Sequence, residues 1–389
     1  MFFINALVLL HDSFISSFFW ITLKKNKFPV FAEGSLKNKL ISEGISVLSV
    51  FEAKKILSSD DCFVYFNAED CLSVINDLGN EKLKENINFF KDKFAFKKSI
   101  QDNYSEYFIA EVKKEDFNSF EVPEGKDLII KPCVGFHSVG IRRFSGKKEW
   151  NKIKSDVLSE CEKYSSVFNE NVLNNKKFLV EEYIEGKELA CDFYFNSDGK
   201  PIILNISHHP FVDENDTRDL VYYTSRKLMQ EHYGKLMEFL EFIASKKKIR
   251  NFPVHLEVRI KNNKVYPIEA NPLRFGGFGL SDLSFYAFGI NSFEYFFNQK
   301  EPDWDMILLE DNRNYYAFVV GQRPLNFNSE KESIDVKAYK ETFNEILSYT
   351  EIDAGKYKFF STVFTRSENL NDLTKYLYMD FDKFRVLYS

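Results

Sequence analysis

The stretch HLEVRIKNNKVYPIEANPLRFGG sets Glu257, Glu269 and Asn271 on two short segments joined through Asn262 and Asn263. Side chains alternate between faces along a strand, so His255, Glu257 and Arg259 share one face, and Glu269 shares a face with Asn271. Glu257 stands opposite Glu269 only if the connection spans an odd number of residues or carries a bulge, because a one-residue slip reverses the face. In that register three oxygen ligands converge. Such a set suits Mg2+, with Mn2+ as an alternative, since these ions take a few carboxylates and complete their shells with phosphate oxygens. The plain rival is an exposed hairpin whose acids are solvated.

Upstream, DLIIKPCVGFHSVGIRRF ends an apolar run at Lys131, followed by Pro132. An ammonium emerging at a strand end beside a loop suits a phosphate. The loop from Gly135 to Gly140 can then bring backbone amides and Ser138 close to further phosphates, glycine allowing close approach and positive φ. A bare hairpin turn has the same spacing; the lysine before it and the strands on both sides favour the phosphate. Further on, FLVEEYIEGKEL runs from an apolar strand into an acidic segment. A strand edge offers one backbone acceptor and one donor in fixed register, which is what a purine edge requires.

These blocks, in this order from about residue 127 to 277, resemble the ATP-grasp superfamily of the carboxylate–amine ligase type, which includes biotin carboxylases and L-amino-acid ligases. The resemblance implies ATP and Mg2+ as cofactors. It implies that Lys131 meets the α-phosphate and adenine, and that Lys93, in FFKDKFAFKK, is the earlier phosphate lysine, with Lys91, Lys97 and Lys98 as competitors. By the same resemblance Glu182 offers its carbonyl and Ile184 its amide to adenine, Glu181 adds a side-chain contact, and Glu188 accepts from the ribose hydroxyls. The family usually has an arginine two residues after the metal asparagine. Here Leu273 stands there and Arg274 follows, so Arg274, Arg259 and His255 compete to stabilise the transferring phosphoryl group. His208 and His209 are expected in a loop after IILNIS, where the acceptor enters, and Asp213, Asp216 and Arg218 share that expectation as substrate contacts.

The elements that must position these residues follow from the pattern. Up to about residue 90, short apolar runs alternate with helical ones, a βαβ pattern that predicts a small parallel sheet. No glycine-rich dinucleotide fingerprint follows the first strand. The expected fold is mixed α/β (α+β), an ATP-grasp fold with an N-terminal parallel-sheet domain (1–90), a lid subdomain (91–190), a catalytic subdomain carrying the metal hairpin (191–300) and a C-terminal α+β extension (301–389). The aromatic-rich tail, with Phe318, Phe360 and Phe364, reads as core rather than as a stacking platform.

With 389 residues, 44 % of them hydrophobic, the chain can bury more than one core, and a net charge of −6 argues against a dedicated nucleic-acid binder. The apolar runs FFINALVLL and FISSFFWITL are each shorter than the ~20 residues of a membrane span and read as a buried strand and a helix. Five scattered cysteines without metal-ligand spacing read as reduced thiols in the cytoplasm. The function these features predict is an ATP-dependent ligase that activates a small-molecule carboxylate as an acyl phosphate and joins it to an amine or similar nucleophile. No nucleic acid or membrane partner is expected, and a homodimer is allowed. A small-molecule kinase on the same site, or a nucleotide sensor without catalysis, are the rivals.

Overall fold

The computed structural model describes residues 6–135, 139–165, 176–213, 216 and 218–388. The first apolar run forms β1 (Ala6–Leu10), buried along its whole length. It pairs in parallel with β2 (Val30–Ala32) and β3 (Phe63–Phe66) in the order β2-β1-β3. A parallel strand covered on both faces needs no polar alternation, hence ALVLL. The second apolar run is the helix Ser17–Asn26, started by the Ser16 hydroxyl accepting from the Phe19 amide.

Four antiparallel strands make the next sheet: β4 (Ile109–Lys113), β5 (Asp127–Pro132), β6 (Arg142–Ser145) and β7 (Lys177–Glu182), in the order β4-β7-β5-β6. The helix Gly146–Ser165 follows β6, and Trp150 is buried among Phe117, Phe144 and Phe178. The Trp150 indole donates to the Phe117 carbonyl at 3.0 Å, so this sheet has its own small core.

The main body is an eight-stranded antiparallel sheet. In chain order its strands begin with β8 (Glu188–Phe195), β9 (Pro201–His209), β10 (Val221–Thr224), β11 (Phe252–Lys261), β12 (Lys264–Pro272) and β13 (Tyr315–Gln322). After β14 (Glu332–Ile334) come β15 (Ser348–Glu351) and β16 (Phe359–Ser367); β14 pairs separately with β17 (Arg385–Leu387). The sheet order is β12-β11-β8-β9-β10-β13-β16-β15, so strands from the tail extend the sheet that carries the hairpin. Phe318, Phe360 and Phe364 are buried core residues. The helix Arg226–Lys246 packs Met229, Leu236, Leu240 and Ile243 into the main core. Among the described residues no helix is long and apolar enough to cross a membrane. All five cysteines are free and buried.

The small parallel sheet is tied to the body at one backbone seam: the Phe66 amide at the end of β3 donates to the Leu273 carbonyl at 3.0 Å.

Candidate active site

The hairpin's turn holds Asn262 and Asn263 at φ 50° and 64°, the left-handed pair of a tight two-residue turn, which asparagine tolerates better than most residues. That even connection alone would put Ile268 opposite Glu257. A bulge corrects it: Val258 pairs with Pro267, the register shifts, and Glu257 then pairs with Glu269 and His255 with Asn271. The condition set by the sequence is therefore met through the bulge. Two carboxylates face each other on one side of the sheet, and burial together with Glu269 pushes the Glu257 carboxyl up, although His255 opposes this. His255 is held by Asp192, with Nδ1 2.7 Å from Oδ1, and its Nε2 lies 3.7 Å from Glu257 Oε1. Burial lowers the imidazole's affinity for its proton, but Asp192 and Glu257 raise it to about 9. Asn271 is buried beside this group.

Opposed carboxylates on one partly buried face call for a cation between them. The oxygen donors fit Mg2+, which leaves most of its positions to water and phosphate. Among the described residues no three His, Cys, Asp or Glu side chains group as a metal cage; the hairpin offers the facing carboxylates of Glu257 and Glu269, with Asn271 two residues beyond Glu269.

The lysines come from the helix Lys93–Ser99, whose start is capped by the Asp92 carboxylate accepting from the Ala95 amide at 2.9 Å. Lys93 and Lys97, four residues apart, lie on one face, and both are buried. The Lys93 amide donates to the Cys133 carbonyl at 2.9 Å, and Nζ reaches the Gly135 carbonyl at 3.1 Å and Glu269 Oε1 at 3.2 Å. One lysine thus joins the start of the glycine loop to the hairpin. Its competitors go elsewhere: Lys91 to Glu69, Lys98 to Gln101, Lys97 to Glu181. Lys131 donates to the Ile268 carbonyl at 3.1 Å and stands 2.7 Å from Glu181 Oε1. Gly140 has φ 71°, and a Cβ there would lie 2.4 Å from Cys161 Sγ, so only glycine closes this loop against the helix. Ser138 lies outside the described residues.

At the end of β7 the Glu182 carbonyl accepts from the Tyr107 hydroxyl at 3.0 Å, while its carboxylate pairs with Lys126 at 2.7 Å. Among the described residues nothing accepts from the Ile184 amide. Two guanidinium groups approach the Tyr183 ring, Arg143 at 4.1 Å and Arg259 at 5.0 Å from its centroid. Arg259 also donates to the Ile184 carbonyl at 2.8 Å and to Glu188 from Nε at 3.1 Å, with Nη2 at 3.0 Å. Arg259 is thus built into the hinge rather than aimed at the facing carboxylates.

Glu181 differs from the expectation of an adenine contact. Its side chain is enclosed, and both oxygens serve Lys131, Lys97 and Tyr107. Glu188 is likewise engaged, by Arg259 and by His209 Nδ1 at 3.4 Å. Burial would raise its carboxyl, but His209 and Arg259 hold it below the usual range.

The histidine pair is not in a loop. Both residues lie in β9, extended by pairing with β8, and alternation sends them to opposite faces. His209 pairs with Glu188 and stacks on Tyr222 at 4.0 Å, with Nε2 3.6 Å from Asp219. His208 packs edge-on to Tyr223 on the opposite face, away from the carboxylates, where burial and the nearby Lys187 push its imidazole down to about 4. Arg218 pairs with Asp216, with Nε 2.7 Å from Oδ1, and is exposed, as is Asp213.

Arg274 emerges because Leu273, fully buried, adopts φ 59° and turns the chain by one residue. Its Nη2 lies 3.5 Å from Glu69 Oε1, at the seam with the parallel sheet. Burial alone would raise the Glu69 carboxyl, but Lys91 and Arg274 bring it down to about 2. No sequence pattern marks Glu69 or Tyr107 as part of this site. Asp192 is marked as the one charge within LACDFYF; it accepts from the Gly276 amide at 2.9 Å as well as bonding His255.

Residues 124–282 match the family model described as ATP-grasp domain. No curated protein matches the sequence. Among solved structures, the chain is similar to L-amino acid ligase from Bacillus licheniformis, with TM-score 0.66 and 16 % identity over 99 % of this chain and 98 % of that one. It is also similar to biotin carboxylase from Campylobacter jejuni in a complex with a β,γ-ATP compound, with TM-score 0.62 and 13 % identity over 99 % and 92 % of the two chains. N5-carboxyaminoimidazole ribonucleotide synthetase from Thermotoga maritima follows with TM-score 0.60 and 12 % identity over 99 % of each chain. At these identities the likeness establishes the fold.

Proposed function

We propose, on the premise that this chain belongs to the ATP-grasp superfamily through its domain at residues 124–282, that it is an ATP-dependent ligase acting on a small-molecule carboxylate and an amine or similar nucleophile. The observation that carries the reading is Lys93, whose single ammonium lies within 3.2 Å of both the Gly135 carbonyl and the Glu269 carboxylate. A loop suited to phosphates and a face suited to a divalent cation are thereby set side by side, the arrangement that in-line phosphoryl transfer requires.

In this reading Lys93 and Lys131 bind the phosphates, the Glu182 carbonyl and Ile184 amide take the adenine edge, and Glu188 takes the ribose. Glu257, Glu269 and Asn271 would hold Mg2+, which supplies charge neutralisation when bound. A carboxylate oxygen attacks the γ-phosphorus, the bond to the β-phosphate oxygen breaks, and ADP leaves. The amine then attacks the acyl carbon, phosphate leaves with the bonding pair, and the nitrogen's proton passes to solvent. Arg274, half-buried beside Glu69, is the cation assigned to meet the substrate carboxylate or the transferring group. We divide the chain near residues 90, 190 and 300, and the free thiols support a reducing, cytoplasmic compartment.

The test uses hydroxylamine as a general nucleophile with a panel of carboxylic acids, amino acids first because an L-amino acid ligase matches along the whole chain. A ligase releases ADP and inorganic phosphate in step with hydroxamate. ADP with a stable phosphorylated acceptor and no hydroxamate would make the protein a kinase, and the ligase reading would fall.

A further inference from the structure

Glu181 occupies the centre of the four-stranded sheet, paired with Ile129 of β5 on one side and Ile109 of β4 on the other. Lys131 is two residues beyond Ile129, so it meets Glu181 diagonally on the same face. The helix Lys93–Ser99 crosses beside them, and because Lys93 and Lys97 are one turn apart, a helix that aims Lys93 at the glycine loop necessarily aims Lys97 into the same interior. Glu181 Oε1 takes Lys131 at 2.7 Å; Oε2 takes Lys97 and the Tyr107 hydroxyl, the latter at 2.7 Å. Glu181, Lys97 and Lys131 are each no more than 4 % exposed.

We propose that Lys97 and Tyr107 are positioning residues for nucleotide phosphates, acting through Glu181 to fix the Lys131 ammonium and to keep the cluster around it net positive. The inference rests on the nucleotide-site reading above and adds to it residues that reach no ligand themselves.

Charge arithmetic carries the argument. A lone Lys131–Glu181 pair is neutral towards a phosphate, and in a dry interior the lysine would be held by its own partner. The second lysine, Lys97, shares the carboxylate; burial pulls its ammonium down to about 7 against the pull of Glu181, so it adds up to one positive charge to the trio, more fully as the pH falls below 7. Glu181 can sustain this: burial would raise its carboxyl, but Lys131 and Lys97 hold it at about 2, so it stays ionised. Lys131 has three hydrogens to donate, one to Glu181 and one to the Ile268 carbonyl, and the third remains for a phosphate oxygen. Tyr107 has a single hydroxyl proton placed between Glu181 Oε2 and the Glu182 carbonyl, 3.0 Å away. It ties the Glu181 carboxylate to the end of β7.

Lys97→Met removes the charge and Lys97→Gln keeps an amide that can still donate to Glu181. Calorimetry with MgADP and ligand-observed NMR with adenosine then separate phosphate from base recognition. Both variants are expected to weaken MgADP roughly tenfold while leaving adenosine within about twofold of wild type, since a lost charge acts on the phosphates alone. Tyr107→Phe, which deletes one oxygen from a partly buried ring, is expected to change affinity in the same phosphate-selective sense by about threefold, and decides the matter if neither Lys97 variant folds. Equal weakening for adenosine and MgADP, or MgADP binding like wild type in a folded variant, overturns the proposal. Wild-type protein that binds no MgADP overturns the nucleotide site itself, a failure visible before any variant is compared.

Discussion

Lys93 Nζ lies 3.2 Å from Glu269 Oε1, so an ammonium already flanks the carboxylate that a divalent cation would share. Lys93 neutralises one of two opposed acids, and Glu257 keeps a raised carboxyl. ATP should therefore bind tightly only with Mg2+ or Mn2+, because the acids and the phosphates are neutralised together. Calorimetry with and without EDTA measures this. Equal affinity in both would remove the cation from the site.

Replacing Glu269 by Gln should spare MgATP binding more than it spares turnover, with a loss in turnover on the order of a hundredfold, since charge on the transferring group grows towards the transition state. Single-turnover kinetics separate the two. A variant that turns over like wild type would show that the hairpin takes no part in the chemistry.

The arginines should divide their effects. Arg274 is directed to Glu69 and the open seam by the left-handed Leu273, whereas Arg259 is fixed to Glu188 and the Ile184 carbonyl. Arg274→Lys is expected to lower turnover roughly tenfold or more, because an ammonium cannot reproduce the planar fork. Arg259→Lys is expected to raise KM for ATP and leave turnover within about threefold. The opposite division, seen in steady-state kinetics, would place the reaction nearer the hinge.

His208 should affect acid stability and not activity. Its folded-state proton affinity is depressed, with a midpoint of about 4 against 6.5 for the ordinary group. Between those values the unfolded chain binds the extra proton, so stability present above pH 6.5 is lost as the pH falls towards 4. His208→Leu should resist that loss. Melting temperatures at pH 7.5 and 4.5 would show the wild type falling further than the variant, and parallel falls would exclude the effect.

Asp282 predicts the opposite slope. Its buried carboxyl has few partners, the Ser16 hydroxyl at 2.8 Å and the Phe18 amide at 3.4 Å, and burial pushes it up to about 7. The folded protein keeps a proton that the unfolded chain releases near 3.8, so stability present below 3.8 is lost as the pH rises to about 7. Asp282→Asn should gain on the wild type between pH 4.5 and 8 in thermal melts. A constant difference would mean that the carboxylate is ionised throughout.

Alternation and order along the chain made much of this legible. ALVLL reads as a buried strand from its unbroken apolar run, whereas the run of Lys131, the glycine loop, FLVEEYIEGKEL and the acidic hairpin points to a nucleotide-binding fold through the resemblance of their order and spacing to the ATP-grasp superfamily. What local pattern cannot encode is which side chains meet across strands far apart in sequence. The bulge that turns Glu257 towards Glu269 is a property of pairing rather than of either strand alone. The sequence places His208 and His209 in a polar loop, whereas pairing with β8 and β10 makes them strand residues on opposite faces. The resemblance implies a ligand contact for Glu181, and its actual partners, Lys97, Lys131 and Tyr107, come from three separate segments that no local pattern connects to it. Only the packing of the lysine helix between the two sheets decided which carboxylate belongs to which lysine, since burial makes each charge seek the nearest opposite one.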